Sequence, residues 1–110
     1  MNLDPRRVML GALCAGSLML APSAAAAAPR TYTILIERLK FGPVPAELHK
    51  GDIVIWANHD ILRHSATASN HAFDVDLPPG ALKTMVLTKS GTFPFLCRYH
   101  PGMRGTLVIR

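Results

Sequence analysis

The sequence predicts an all-β Greek-key sandwich of about seven or eight short strands, and three observations lead there. After Ala28 the chain alternates short β-rich runs with Gly, Pro, Asn and Asp turn signals at regular spacing. No stretch beyond that point carries a convincing helical period. One run, Ile53 to Ala57, is apolar throughout and reads as a strand buried on both faces.

In chain order, Thr31 to Leu39 (TYTILIERL) is β-rich and partly alternating, and the Gly42-Pro43-Val44-Pro45 stretch after Phe41 breaks it. Glu47 to His49 forms a short candidate strand before the Lys50-Gly51-Asp52 turn. Ile53 to Ala57 follows, then His64 to Ala68 (HSATA), a strand that opens at its histidine. Asn70 to Asp76 is expected to hold a loop or a helical turn. Pro78-Pro79-Gly80 turns into Lys83 to Thr88, and Lys89-Ser90-Gly91 turns into Thr92 to Cys97. Gly105 to Arg110 closes the sandwich.

The first 27 residues are of another kind. Arg6 and Arg7 precede the apolar run VMLGALCAGSLMLA, and an alanine-rich stretch follows, which is the order of a secretory signal peptide. Residues 1–27 are therefore expected to direct export to the periplasm and to be removed, with cleavage after Ala26 or Ala27. Arg6-Arg7 fits a twin-arginine signal in part, and an ordinary Sec signal fits as well. An uncleaved anchor is the alternative, although the run is shorter than the roughly 20 residues of a membrane-spanning helix. Stable membrane insertion of the 28–110 domain is not expected.

From Pro29 onward there are ten Lys/Arg and six Asp/Glu, a net charge of +4. The charges form no basic stripe and aromatic residues are few, which argues against nucleic-acid binding. With Cys14 in the signal, Cys97 is the only thiol left, so no internal disulfide can form. In an oxidising compartment such a thiol is a buried bystander, a hazard, or a working group.

The spacing around Cys97 favours the last. Cys97-Arg98-Tyr99-His100-Pro101-Gly102-Met103 places a thiolate, an imidazole and a thioether at C-x2-H-x2-M intervals. That soft donor set suits copper in both oxidation states, and a His2Cys site with a weak axial Met is typical of copper electron-transfer centres. One histidine must come from elsewhere. His64 is the best-placed candidate, at a loop-to-strand junction after the apolar strand; His49, His59 and His71 lie in polar contexts and read as surface residues.

From Thr31 to Arg110 the chain resembles the cupredoxins, in particular the amicyanin, pseudoazurin and plastocyanin group. The resemblance rests on CRYHPGMRGTLVI, on KGDIVIWANHD and RHSAT upstream, and on AFDVDLPPGA and SGTFPFLC. It implies one copper ion held by His64, Cys97, His100 and Met103. It also implies single-electron transfer through His100, whose ring edge would lie in an apolar patch near Pro101 and Gly102. Redox proteins such as a dehydrogenase, cytochrome or oxidase would dock there transiently as donor and acceptor, with the carrier a monomer. Where relatives often have Asn after the first ligand, tying the ligand loops together, this chain has Ser65.

Two rival functions differ in their sequence requirements. Copper storage, resistance or delivery calls for exposed Met/His clusters, yet only Met85 and Met103 follow the signal. A copper enzyme needs a second centre, and the chain has neither adjacent Cys-His nor any His-x-His. No enzymatic activity is expected.

Overall fold

Alternation of buried and exposed side chains builds two sheets that share one core. The computed structural model describes residues 27–110 together with Gly16, so the expected signal at 1–27 lies almost wholly outside the described residues. The strands are β1 (Thr31–Glu37), β2 (Lys40–Phe41), β3 (Ile53–Asn58), β4 (His64–Ala68), β5 (Asp74–Leu77), β6 (Leu82–Val86), β7 (Gly91–Leu96) and β8 (Arg104–Ile109). One sheet has the order β2-β1-β3-β6 and the other β5-β4-β7-β8. β1 and β3 pair in parallel, while the other ladders are antiparallel. The expected all-β sandwich is therefore the fold, with eight strands. No helix among the described residues is long and apolar enough to cross a membrane.

Several local expectations change. The first strand stops at Glu37 because Arg38 and Leu39 adopt φ of 53° and 58°, turning the chain into the two-residue strand β2. Glu47 to His49 contributes only a bridge, from Leu48 to Ile109. The apolar β3 strand is not buried on both faces: Val54 and Trp56 are fully buried, but Ile53 and Ile55 only partly. The segment expected to be a loop or helical turn is a loop over Asn70 to Phe73 and then enters β5, paired along β4 from His64↔Leu77 to Thr67↔Asp74.

The core lies between the sheets, with Ile34, Ile36, Val54 and Trp56 facing Ala66, Phe93, Phe95 and Leu107. Burying each large aliphatic or aromatic side chain contributes about 1.5–3 kcal/mol. Trp56 and Phe95 meet edge-to-face at 5.2 Å, and Phe41 closes on Phe95 at 4.9 Å. The Phe95 ring in turn lies over Gly105, its partner across the β7–β8 ladder. At the end away from His64, the Asp52 carboxylate is buried and accepts the backbone N–H of Arg30 at 3.0 Å and of His49 at 2.9 Å.

Two outcomes are expected. A Cβ added at Gly105 would fall within 3.0 Å of three Phe95 ring atoms, and the ring is wedged against Trp56 and Phe41. Gly105→Ala should therefore destabilise the protein by about 1–3 kcal/mol in urea unfolding. The N–H donors of Arg30 and then His49 hold the Asp52 carboxyl below its ordinary value of 3.8. Its stabilisation is present above that value and lost as pH falls through the lowered native one. Asp52→Asn should flatten the acid limb of the pH–stability curve, measured by circular dichroism; an unchanged limb would contradict this role.

Candidate metal centre

The site forms where strand register brings distant residues together at one end of the sandwich. β4 begins at His64, and β7 ends one residue before Cys97. Pairing of Thr67 with Leu96 and Ala68 with Phe95 sets the histidine beside the cysteine. Beyond Cys97 the chain folds back on itself. His100 N–H donates to Cys97 O at 3.2 Å, Met103 N–H to His100 O at 2.8 Å, and Cys97 N–H to Met103 O at 3.0 Å. The loop thus returns into β8 with Met103 buried in the same core cluster as Cys97.

His64 Nδ1 lies 3.7 Å from Cys97 Sγ, and His100 Nδ1 lies 3.8 Å from it. The three donor atoms all fall within 4.8 Å of one another. The histidine rings are 5.0 Å apart, with His64 and Cys97 fully buried and His100 partly so. An ion bound at about 2.3 Å from sulfur and about 2.0–2.1 Å from nitrogen would, at trigonal angles, hold each nitrogen about 3.8 Å from the sulfur. Both sulfur–nitrogen distances therefore fit a small transition-metal ion.

The chain also carries a family signature: residues 9–109 match the model of the cupredoxin-like domain. The chain belongs to this family. It is 24% identical over 95 residues to the amicyanin of Paracoccus versutus, covering 80% of this chain and 72% of that protein. Among solved structures, a purple cupredoxin from Nitrosopumilus maritimus superposes with a TM-score of 0.61 at 20% identity, over 71% of this chain and 98% of the other. A reduced Cu(I) form of a proline-to-glycine amicyanin variant gives a TM-score of 0.57 at 26% identity, over 78% and 85% of the two chains.

In this cupredoxin the loop entering His64 is organised by a buried amide. Asn58 Nδ2 is directed to the carbonyls of Leu62 (2.8 Å), Leu77 (2.9 Å) and Pro78 (3.2 Å), and Oδ1 accepts Asp60 N–H at 2.8 Å. The amide so fixes Asp60, whose Oδ2 lies 2.9 Å from His64 Nε2. His64 first, then the N–H of Leu39, holds the Asp60 carboxyl below the usual carboxylate range.

Ser65 joins the two ligand-bearing segments in spite of its short side chain. Its N–H donates to Cys97 Sγ at 3.3 Å, and its Oγ accepts Arg98 N–H at 2.9 Å. Thr67 Oγ1 donates to Asp74 at 2.8 Å, so the remaining hydroxyl proton requires Ser65 Oγ to donate to Thr67, also at 2.8 Å. The Arg98 guanidinium pairs with Asp74 and completes the ring. Outside it, Tyr99 lies between the guanidinium groups of Arg63 and Arg98 at 5.7 and 5.1 Å. Arg63 clasps Asp76 and holds that carboxyl below its ordinary value. These ion pairs are partly exposed, so their main effect is orientation of the loop.

The four residues singled out from sequence thus divide as follows: His64, Cys97 and His100 converge, and Met103 is buried at the end of their loop. His49, His59 and His71 are exposed. Asp60 was missed, although a carboxylate four residues before a candidate ligand is a visible signal. Ser65→Ala leaves Arg98 N–H without its acceptor and should cost about 1–3 kcal/mol. Hydrogen exchange of the metal-free protein should show faster exchange at Arg98; unchanged protection would contradict the tie.

Proposed function

We propose that this cupredoxin is a type 1 blue-copper protein that carries single electrons between periplasmic redox partners. The observation that carries this reading is the buried Cys97 Sγ flanked by His64 Nδ1 and His100 Nδ1 at 3.7 and 3.8 Å. His64, Cys97, His100 and Met103 would hold the ion, with the two imidazoles and the thiolate as its main donors and the thioether as a weaker one. Copper held there supplies a one-electron Cu(II)/Cu(I) couple.

The chain's own residues keep the donors still while that couple turns over. Ser65 N–H and the Cys97 N–H bond to Met103 O fix the ends of the ligand loop. Asn58 fixes the loop that delivers His64. Full burial of His64 and Cys97 excludes water from one side, leaving the partly exposed His100 as the route for the electron. The same end exposes Ile61 (87%), Leu39 (45%), Tyr99 (43%) and Leu62 (41%), side chains suited to brief contact with another protein. A donor and an acceptor redox protein would dock there in turn, with the carrier monomeric between encounters. Residues 1–27 would serve as the export signal. C-x2-H spacing and the lack of His-x-His leave the sequence with one centre, consistent with a carrier rather than an enzyme.

The purified metal-free protein should turn intensely blue on addition of one equivalent of Cu(II), through a thiolate-to-copper transition at Cys97. Cys97→Ser should abolish the colour. The loaded protein should then exchange electrons rapidly and reversibly with a c-type cytochrome. A colourless complex from the unmutated protein overturns the type 1 assignment, and ready loss of copper to a mild chelator would indicate delivery rather than electron transfer.

A further inference from the structure

His64 is completely buried, and the group it meets on its far side is a carboxylate. Asp60 Oδ2 lies 2.9 Å from His64 Nε2, and its side chain is only 14% exposed. An ionised carboxylate can only accept, so Nε2 must carry the ring proton. In the neutral ring that ligates a metal, Nδ1, the nitrogen 3.7 Å from Cys97 Sγ, is then left with its lone pair on the sulfur side. The carboxylate has little freedom to turn away. Oδ2 also accepts Leu39 N–H at 3.1 Å, and Oδ1 accepts Ile61 N–H at 3.0 Å.

The donor at Leu39 comes from an unusual turn. Arg38 and Leu39 both lie in the left-handed region, with φ of 53° and 58°. A non-glycine residue there costs on the order of 1–3 kcal/mol and persists only where its surroundings hold it. Here the strained turn supplies one of the N–H groups that aim the carboxylate at His64.

We propose that Asp60 is a positioning residue of the metal centre, which locks the tautomer and ring plane of His64 and, through its negative charge, favours the more highly charged copper state. A carboxylate bonded to the outer nitrogen of a ligating histidine raises the ligand's basicity. Its charge also stabilises Cu(II) more than Cu(I), so Asp60 lowers the reduction potential. The proposal rests on the type 1 copper reading.

Two measurements test it. In the copper-loaded protein, Asp60→Asn removes the charge but keeps the side-chain shape. Equilibration with a redox mediator should shift the Cu(I)/Cu(II) ratio at least tenfold toward Cu(I), or about 59 mV for one electron, with the blue band retained. A ratio within twofold of the unmutated protein, with the band intact, overturns the charge effect while leaving the carrier reading standing. In the metal-free protein, nitrogen-15 NMR should show the His64 ring protonated at Nε2, and Asp60→Ala should convert it to a mixture of tautomers. A ring protonated at Nδ1, or one insensitive to Asp60→Ala, overturns the positioning role. If the unmutated protein never turns blue, the carrier reading fails, and the NMR result alone decides the role of Asp60.

Discussion

The whole site depends on the register between β4 and β7. Cys97 and His64 are separated by 33 residues, and only the pairing of Thr67 with Leu96 and Ala68 with Phe95 makes them neighbours. A slip of one residue along a strand sends each side chain to the opposite face. Such a slip would turn His64 away from the sulfur and also expose Phe95. The register that fills the core is therefore the one that assembles the donor set. Packing of Phe95 against Trp56, Phe41 and Gly105 makes the alternative costly.

Legibility in the sequence follows the distance over which each feature is determined. Cys97, His100 and Met103 share one short loop, so their spacing could be read without knowing the fold. His64 could be chosen from five histidines because it opens a strand next to an apolar one. Asp60 was less visible, since its orientation depends on Asn58, a buried amide whose partners lie on three separate carbonyls. The β1–β2 turn gave no composition signal: Arg38 and Leu39 occupy a conformation normally marked by Gly or Asn. β5 begins inside the stretch expected to hold a loop or a helical turn, although Asp-Val-Asp-Leu alternates as an edge strand should. Those two aspartates are charged because they sit on an edge and receive Arg98 and Arg63.

A second constraint is that the functional end is built from loops, which ordinarily are the more mobile parts of a fold. Here side chains take over the work of a ladder. Asn58 holds the loop before His64, Asp60 connects that loop to the β1–β2 turn, and Ser65 connects β4 to the chain after Cys97. Each of these bonds joins a buried or half-buried side chain to backbone, where an unmade bond is expensive. Serine meets the requirement at position 65 because the segments already approach closely enough for its N–H to reach Cys97 Sγ and its Oγ to reach the next amide. A longer amide side chain is unnecessary when the backbones are this near.

At this end one largely buried charge and several exposed apolar side chains share the same short loops. Asp60, the charged group that meets the donor set, is 14% exposed and reaches His64, while the residues whose N–H groups it accepts, Leu39 and Ile61, carry exposed apolar side chains of the same end. The Asp60 charge would act on a bound ion at short range through protein, where solvent screens it little. The exposed apolar side chains would let two proteins meet and part without paired charges to break. On the rim the Arg63 and Arg98 guanidiniums are offset by Asp76 and Asp74, and Arg104 donates to Pro101 O within the ligand loop. In the proposed carrier a change at Asp60 would therefore bear on the bound ion directly, whereas a change at the exposed side chains of Ile61 or Leu62 would bear on contact with a partner.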